Sequence, residues 1–193
     1  FDAVGEEHRA TREAVALFDQ SSFAKYAMPG PGAEAALSFI AANDVTRPPG
    51  RLVYTQMLNS RGGIECDLTA ARLAPDRYYI VTGTGFRTHD FAWIAEHIPA
   101  GLDARLADVT EQWGTLALMG PKSRETLAKV TTADVSNVAF PFGAVREMSI
   151  AGHKVRALRI TYVGELGWEL HVPTAAIGDV FDALVEAVRQ HGR

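Results

Sequence analysis

Along this chain the hydrophobic period switches repeatedly between 2 and 3.6 residues, and the switches fall at Gly and Pro clusters. A helical bundle would hold the longer period and a sandwich the shorter one, so strands and helices must share one architecture, and the fold class is α+β. An opening helix carries Ala10, Ala14, Leu17 and Phe18 on one stripe, and Phe18 to Tyr26 reads as a strand. Pro29-Gly30-Pro31-Gly32 then forces a turn into an Ala-rich helix that runs through Phe39 and Ile40. Val53 to Leu58 and Ile64 to Leu73 form a hairpin across Asn59-Ser60-Arg61-Gly62-Gly63. A short strand from Tyr78 to Thr82 leads into a helix with Phe86, Trp93, Ile94, His97 and Ile98 on its apolar side. The second half repeats this logic. Strands at Leu102 to Val109 and Gly114 to Met119 precede a helix opened by Gly120-Pro121, with Pro at its first position. Val145 to Ile150, Val155 to Tyr162 and Trp168 to Val172 follow as strands, and a last helix carries Ile177, Val180, Phe181, Leu184 and Val188 on a core-facing stripe. Two similar packed subdomains of antiparallel strands and helices are expected, at roughly 16–101 and 102–193, with the join near Ala100 to Asp108.

At 193 residues the chain can bury about two-thirds of its unfolded surface without a covalent staple. With 19 basic against 23 acidic side chains it lacks the dense Lys and Arg that nucleic acid or an anionic membrane demands, so neither is an expected partner. Its single Cys66 closes no disulfide within the chain and suits a reducing compartment, so a cytoplasmic setting is expected. Residues 1–20 interleave Asp2, Glu6, Glu7, Arg9, Arg12 and Glu13 with apolar positions, which no signal segment tolerates. A chain that starts at Phe1 and is already helical there is expected to be a segment of a longer polypeptide.

Two hairpin strands carry the candidate chemistry. In Ile64-Glu65-Cys66-Asp67-Leu68-Thr69, period 2 puts Ile64, Cys66 and Leu68 on one face and Glu65, Asp67 and Thr69 on the other. In Trp168-Glu169-Leu170-His171-Val172, Glu169 and His171 share the polar face. Spacing alone fits an amphipathic strand with a wet outer face as well as it fits a site. A carboxylate such as Glu169 can accept two hydrogen bonds from a planar N–C–N edge of the kind a pterin presents, and Tyr162 can stack on such a ring. Cys66 reads as a small core residue. No His pairs at i, i+4 with a second ligand type, no nucleophile elbow occurs, and Gly83-Thr84-Gly85 lacks the spacing of a phosphate loop, so no metal site and no acyl transfer are expected.

Taken together, Val53-Tyr54-Thr55-Gln56-Met57-Leu58-Asn59, then Gly62-Gly63-Ile64-Glu65-Cys66-Asp67-Leu68-Thr69, Gly120-Pro121, and Tyr162-Val163-Gly164-Glu165-Leu166-Gly167-Trp168-Glu169 resemble the aminomethyltransferase family of the glycine cleavage T-protein. The resemblance covers nearly all of residues 1–193. Arg47-Pro48-Pro49-Gly50, Ala139-Phe140-Pro141-Phe142 and the run from Gly164 to His171 look closer to the C-terminal part of sarcosine and dimethylglycine dehydrogenases, as does Cys66 where the T-protein usually has a second Asp. The resemblance implies a T-protein-like folate-binding fold that passes a one-carbon unit to tetrahydrofolate, giving 5,10-methylenetetrahydrofolate. It implies Asp67 as the catalytic residue, an ionised carboxylate that takes a proton, Tyr54 and Tyr162 bordering the ring system, Glu169 on the pterin edge, and Leu68, Thr69, Leu170 and His171 lining the same pocket. It further implies a methylated amine substrate, FAD on a part of the polypeptide not present here, packing against a flavin domain and a C-terminal barrel, and a mitochondrial matrix setting in a eukaryote. The alternatives are a T-protein aminomethyltransferase and a non-catalytic folate-binding module.

Overall fold

The computed structural model describes residues 2–190. These divide into two compact units, one running from Ser22 to Glu111 and the other combining the residues up to Ser21 with those from Gln112 onward. Each unit is built on one five-stranded antiparallel sheet.

In the Ser22–Glu111 unit, β2 (Ala24–Pro29), β3 (Arg51–Leu58), β4 (Ile64–Ala74), β5 (Arg77–Thr82) and β6 (Ala107–Asp108) lie in the order β3-β4-β5-β2-β6. Helices α2 (Ala33–Ile40) and α3 (Arg87–His97) belong to this unit. Its core holds Tyr26, Met28, Leu37, Met57, Ile80 and Ile94, among others. In the other unit, β1 (Ala16–Asp19), β7 (Trp113–Met119), β8 (Val145–Ile150), β9 (His153–Leu158) and β10 (Gly167–Pro173) lie in the order β1-β7-β10-β9-β8. Helices α4 (Ser123–Val130) and α5 (Ile177–Arg189) cover one face, over a core that includes Leu118, Phe140, Trp168, Leu170 and Leu184, while α1 (Asp2–Glu13) leads into β1.

The expected repeat is present, and its logic is visible strand by strand. β2, β3, β4 and β5 correspond to β7, β8, β9 and β10, and an eight-residue helix follows the first strand of each set. The same turn starts both helices. Gly30 and Gly120 sit at φ of 132° and 127°, each is followed by Pro, and each offers its carbonyl to an amide three residues on, from Ala33 at 2.9 Å and Ser123 at 3.0 Å. Glycine is required at position 120 because a Cβ there would lie 2.5 Å from the Ala14 carbonyl oxygen, a backbone atom that cannot swing away. Gly120→Ala should therefore cost about 2–3 kcal/mol of stability, read as a lowered urea midpoint at unchanged slope.

The subdomain boundaries differ from the sequence expectation for a topological reason. Each repeat's leading strand joins the other repeat's sheet: β1 pairs with β7, and β6 pairs with β2. The continuous halves 16–101 and 102–193 thus exchange an edge strand, which no local pattern announces. The single strand expected over Phe18 to Tyr26 is for the same reason two strands in two sheets. Asp19 Oδ1 accepts the Ser21 amide at 2.9 Å and turns the chain between them. Of Leu102 to Val109 only Ala107–Asp108 pairs as a strand. Helix α4 starts at Ser123, so Pro121 lies in the turn before it. On α3 the buried residues are Asp90 and Ile94, with Phe86 exposed, and on α5 they are Val180, Leu184 and Ala187, with Phe181 partly outside.

Candidate functional site

Strand β4 follows its period of 2. Cys66 and Leu68 are buried in the core of the Ser22–Glu111 unit, while Asp67 points outward. Ile64, grouped with them by alternation, is exposed, because the β3–β4 register shifts at Met57/Leu58. Asp67 faces Gln56 across the ladder, and Tyr54 faces Thr69 two pairs further along, on the same face of the sheet. This register places two donors on the carboxylate: the Tyr54 hydroxyl donates to Oδ2 at 2.9 Å and the Gln56 amide to Oδ1 at 2.9 Å. Both donors are neutral, so they fix the orientation of Asp67 and leave its charge in place. Among the described residues no cation pairs with it. The bond to Asp67 pushes the Tyr54 phenol up in return. Sequence alternation put Asp67 and Thr69 on this face, Tyr54 was named only through the family resemblance, and Gln56, whose contact depends on register, was given no role. Leu68, expected in the same pocket, is a core residue on the opposite face from Asp67.

A second polar cluster lies behind this strand. Asp90 of α3 is almost wholly buried, accepts the Thr82 hydroxyl at 2.6 Å, and has its Oδ1 3.0 Å from His89 Nδ1. His89 Nε2 is 3.6 Å from Glu65 Oε2, and Asn59 donates to the other Glu65 oxygen at 2.7 Å. Ligand atoms of Cys66, His89 and Asp90 come within 4.8 Å of one another, a juxtaposition across two elements that a search for helical His spacing could not detect. Burial, and then the charge of Asp90, push the Cys66 thiol up. The hydrogen bond to Asp90 raises His89 above its ordinary 6.5. A raised imidazole value means protonated His89 favours the folded state; that contribution is complete below 6.5 and is lost as pH climbs through the folded value. With half its side chain in solvent, His89 gives a screened and small effect. The prediction is a melting temperature that falls slightly across this window, with the step missing in His89→Gln.

In the other unit, β10 is an inner strand between β7 and β9 and is buried on both faces. The wet outer face expected for Glu169 and His171 is thus corrected: Glu169 is 9% exposed and His171 is 0% exposed. Leu170, expected in the pocket, packs with Trp168 and Val172 in the core on the helix side. Glu169 lies opposite Ala117 and Leu158 on the flanking strands, and its Oε2 is 3.5 Å from His171 Nε2. His171 Nδ1 is 3.2 Å from the Thr115 hydroxyl. Tyr162 is not on a strand, because β9 ends at Leu158 and the Arg159 amide turns to the Ala144 carbonyl. Its ring is 74% exposed in the loop that follows. That loop is tied to α1 by Arg12, whose Nη1 donates to the Val163 carbonyl at 2.7 Å and to Glu165 at 2.9 Å. Sequence reasoning gave Arg12 no role.

Two repeated antiparallel-sheet units, one presenting Asp67 and the other Glu169 from a strand of its hairpin motif, define an aminomethyltransferase-like α+β domain. The chain belongs to the GCVT N-terminal domain family, whose model matches residues 1–193. Mitochondrial sarcosine dehydrogenase of Homo sapiens is 41% identical over 205 residues, covering 99% of this chain and 22% of that protein. The 4-methylaminobutanoate oxidase (formaldehyde-forming) of Paenarthrobacter nicotinovorans is 40% identical over 192 residues, covering 100% of this chain and 23% of that protein. The glycine cleavage system aminomethyltransferase T from Bartonella henselae superposes with a TM-score of 0.81 at 29% identity, over 93% of this chain and 48% of that one. The chain thus spans less than a quarter of the dehydrogenase and oxidase it matches. None of the described helices is long and apolar enough to cross a membrane.

Proposed function

We propose that this chain is the folate-binding, one-carbon-transfer domain of an FAD-dependent dehydrogenase acting on an N-methylated amine such as sarcosine or dimethylglycine. The observation that carries the reading is the exposed Asp67 carboxylate, gripped on both oxygens by neutral donors on the neighbouring strand. Oxidation of a methylated amine yields an electrophilic iminium that water hydrolyses to formaldehyde unless an amine nucleophile waits nearby. Tetrahydrofolate supplies that nucleophile through N5, which adds to the iminium carbon; N10 then attacks the same carbon, the bond to the demethylated amine breaks, the amine leaves in its neutral form, and closure to 5,10-methylenetetrahydrofolate releases one net proton.

The residues suit such a ligand. Glu169, held in a nearly closed environment, offers two acceptor oxygens to the planar amidine edge of a pterin, and the low local dielectric strengthens both bonds. His171, anchored by Thr115, limits the directions Glu169 can take. Asp67 orients the amines, stabilises positive charge on the one-carbon unit, and accepts the proton released on ring closure. The rings of Tyr54 and Tyr162, both exposed, supply surfaces for stacking, and Thr69 adds a hydroxyl beside Tyr54. FAD would be held elsewhere on the longer polypeptide, together with the substrate-oxidising chemistry. The packing partners are then a flavin domain and a C-terminal barrel of the same polypeptide, in the cytoplasm or, in a eukaryote, the mitochondrial matrix.

The test is product distribution. The full-length enzyme, given a ¹³C-methyl amine with and without tetrahydrofolate, should divert label from formaldehyde into 5,10-methylenetetrahydrofolate. Label that stays in formaldehyde at saturating folate contradicts the reading. Release of ammonia from an aminomethylated lipoyl carrier would instead make the chain a T-protein.

A further inference from the structure

The loop between β9 and β10 walls a cleft of about 310 Å³, wholly within the unit that contains α4 and α5 and lined by Phe142, Arg159, Thr161, Gly164 and Glu165, among others. None of the chemistry proposed above uses it. Arg159 is the unusual member. It is 9% exposed, and its guanidinium donates to the Phe140 carbonyl at 2.5 Å and the Asn137 side-chain oxygen at 2.7 Å. The Nε–H meets no acceptor, and no carboxylate pairs with the group among the described residues. Another cation shares one of its acceptors. Arg124 donates to the same Asn137 oxygen at 2.7 Å, and the two guanidiniums lie 5.3 and 5.5 Å from the Trp168 ring centroid. The indole N–H of Trp168 is also unmet. Burial, then the charge of Arg124, pull Arg159 below its ordinary range, as expected of a cation held without a counter-ion. The one acid on the wall, Glu165, is already matched by Arg12 at 2.9 Å, so it does not cancel Arg159.

A buried cation with neutral acceptors only is costly, and an anion brought beside it offsets that cost. A guanidinium fork suits a carboxylate in particular. The volume is that of a small-ligand site. Thr161 adds a hydroxyl whose oxygen takes the Gly164 amide at 3.1 Å and whose hydrogen remains to donate. We infer that this cleft binds a small carboxylate through Arg159 and Thr161. The carboxylate is either a free dicarboxylate or the glutamyl tail of a larger ligand. Phe142, 63% exposed, forms an apolar part of the wall that accommodates the methylene groups such a ligand carries.

The measurement is the NMR resonance of the Arg159 Nε–H in the ¹⁵N-labelled chain. Sodium glutarate should shift it saturably, and Phe142→Asp, which adds a negative charge on an exposed side chain and leaves the Arg159 bonds intact, should weaken binding about tenfold or more. Arg159→Lys should weaken it as well, with the fold checked by circular dichroism. If glutarate is inert but a reduced folate shifts the resonance and tetrahydropteroate, which lacks the glutamyl tail, does not, the carboxylate is the one carried by the larger ligand. No saturable shift with either probe overturns the proposal. So does a shift that Phe142→Asp keeps, or one that sodium chloride reproduces at equal ionic strength.

Discussion

Asp67→Asn should lower the rate of one-carbon capture about 10²- to 10³-fold, or roughly 3–4 kcal/mol, while folate affinity changes only a few-fold. Asn preserves the size of the side chain and can still take one hydrogen bond from Tyr54 or Gln56, so the β3–β4 surface should keep its shape. What is lost is the negative charge and the ability to accept a proton at the moment positive charge develops. The full-length enzyme should then oxidise the amine at the normal rate and release formaldehyde in place of the folate product. Stopped-flow flavin reduction and product analysis read the two halves separately. A variant that captures the carbon at the wild-type rate would reduce Asp67 to a surface acid and favour a non-catalytic folate module.

Glu169→Gln should weaken binding of a reduced folate by about 30- to 150-fold, roughly 2–3 kcal/mol. An edge with two N–H donors meets two acceptor oxygens in Glu, but one oxygen and one N–H₂ in Gln, so one bond becomes a donor–donor clash in a nearly closed environment. The substitution is isosteric, so β10, seated between β7 and β9, should fold as before. Calorimetry of this variant beside Asp67→Asn should show opposite profiles: affinity lost in the first, transfer lost in the second. If Glu169→Gln left affinity unchanged while its melting temperature fell, the residue would be structural, one more buried polar group alongside His171.

The division between what the residues announced and what they concealed has a physical pattern. Local signals were reliable where the answer lies within a few residues. Period 2 sorted Cys66 and Leu68 from Asp67 on β4, Pro29-Gly30-Pro31-Gly32 marked the turn at Gly30, and Gly120-Pro121 marked a helix start that falls at Ser123, two residues past the Pro. Signals failed where the answer depends on what covers a strand. The alternation Trp168-Glu169-Leu170-His171 is that of a half-wet strand, yet β10 is an inner strand closed on both faces, so a polar pattern conceals a buried acid and a buried imidazole. The exchanged edge strands β1 and β6, the donation of Gln56 to Asp67, the tie from Arg12 to the Tyr162 loop and the Cys66–His89–Asp90 cluster each join distant elements. No local period encodes them. Leu68 and Leu170, which the family resemblance placed in the pocket, sit beside Asp67 and Glu169 in the chain, and their side chains belong to the two cores.

Whether this chain binds a reduced folate, with Glu169 on its pterin edge, is read by calorimetric titration of the chain with 5-formyltetrahydrofolate beside Glu169→Gln. The wild type should bind saturably and one to one, and the variant should lose about 2 kcal/mol or more. Equal binding by both chains would contradict the assignment of Glu169. Absence of binding by the wild type, repeated with the full-length polypeptide, would contradict the folate reading itself.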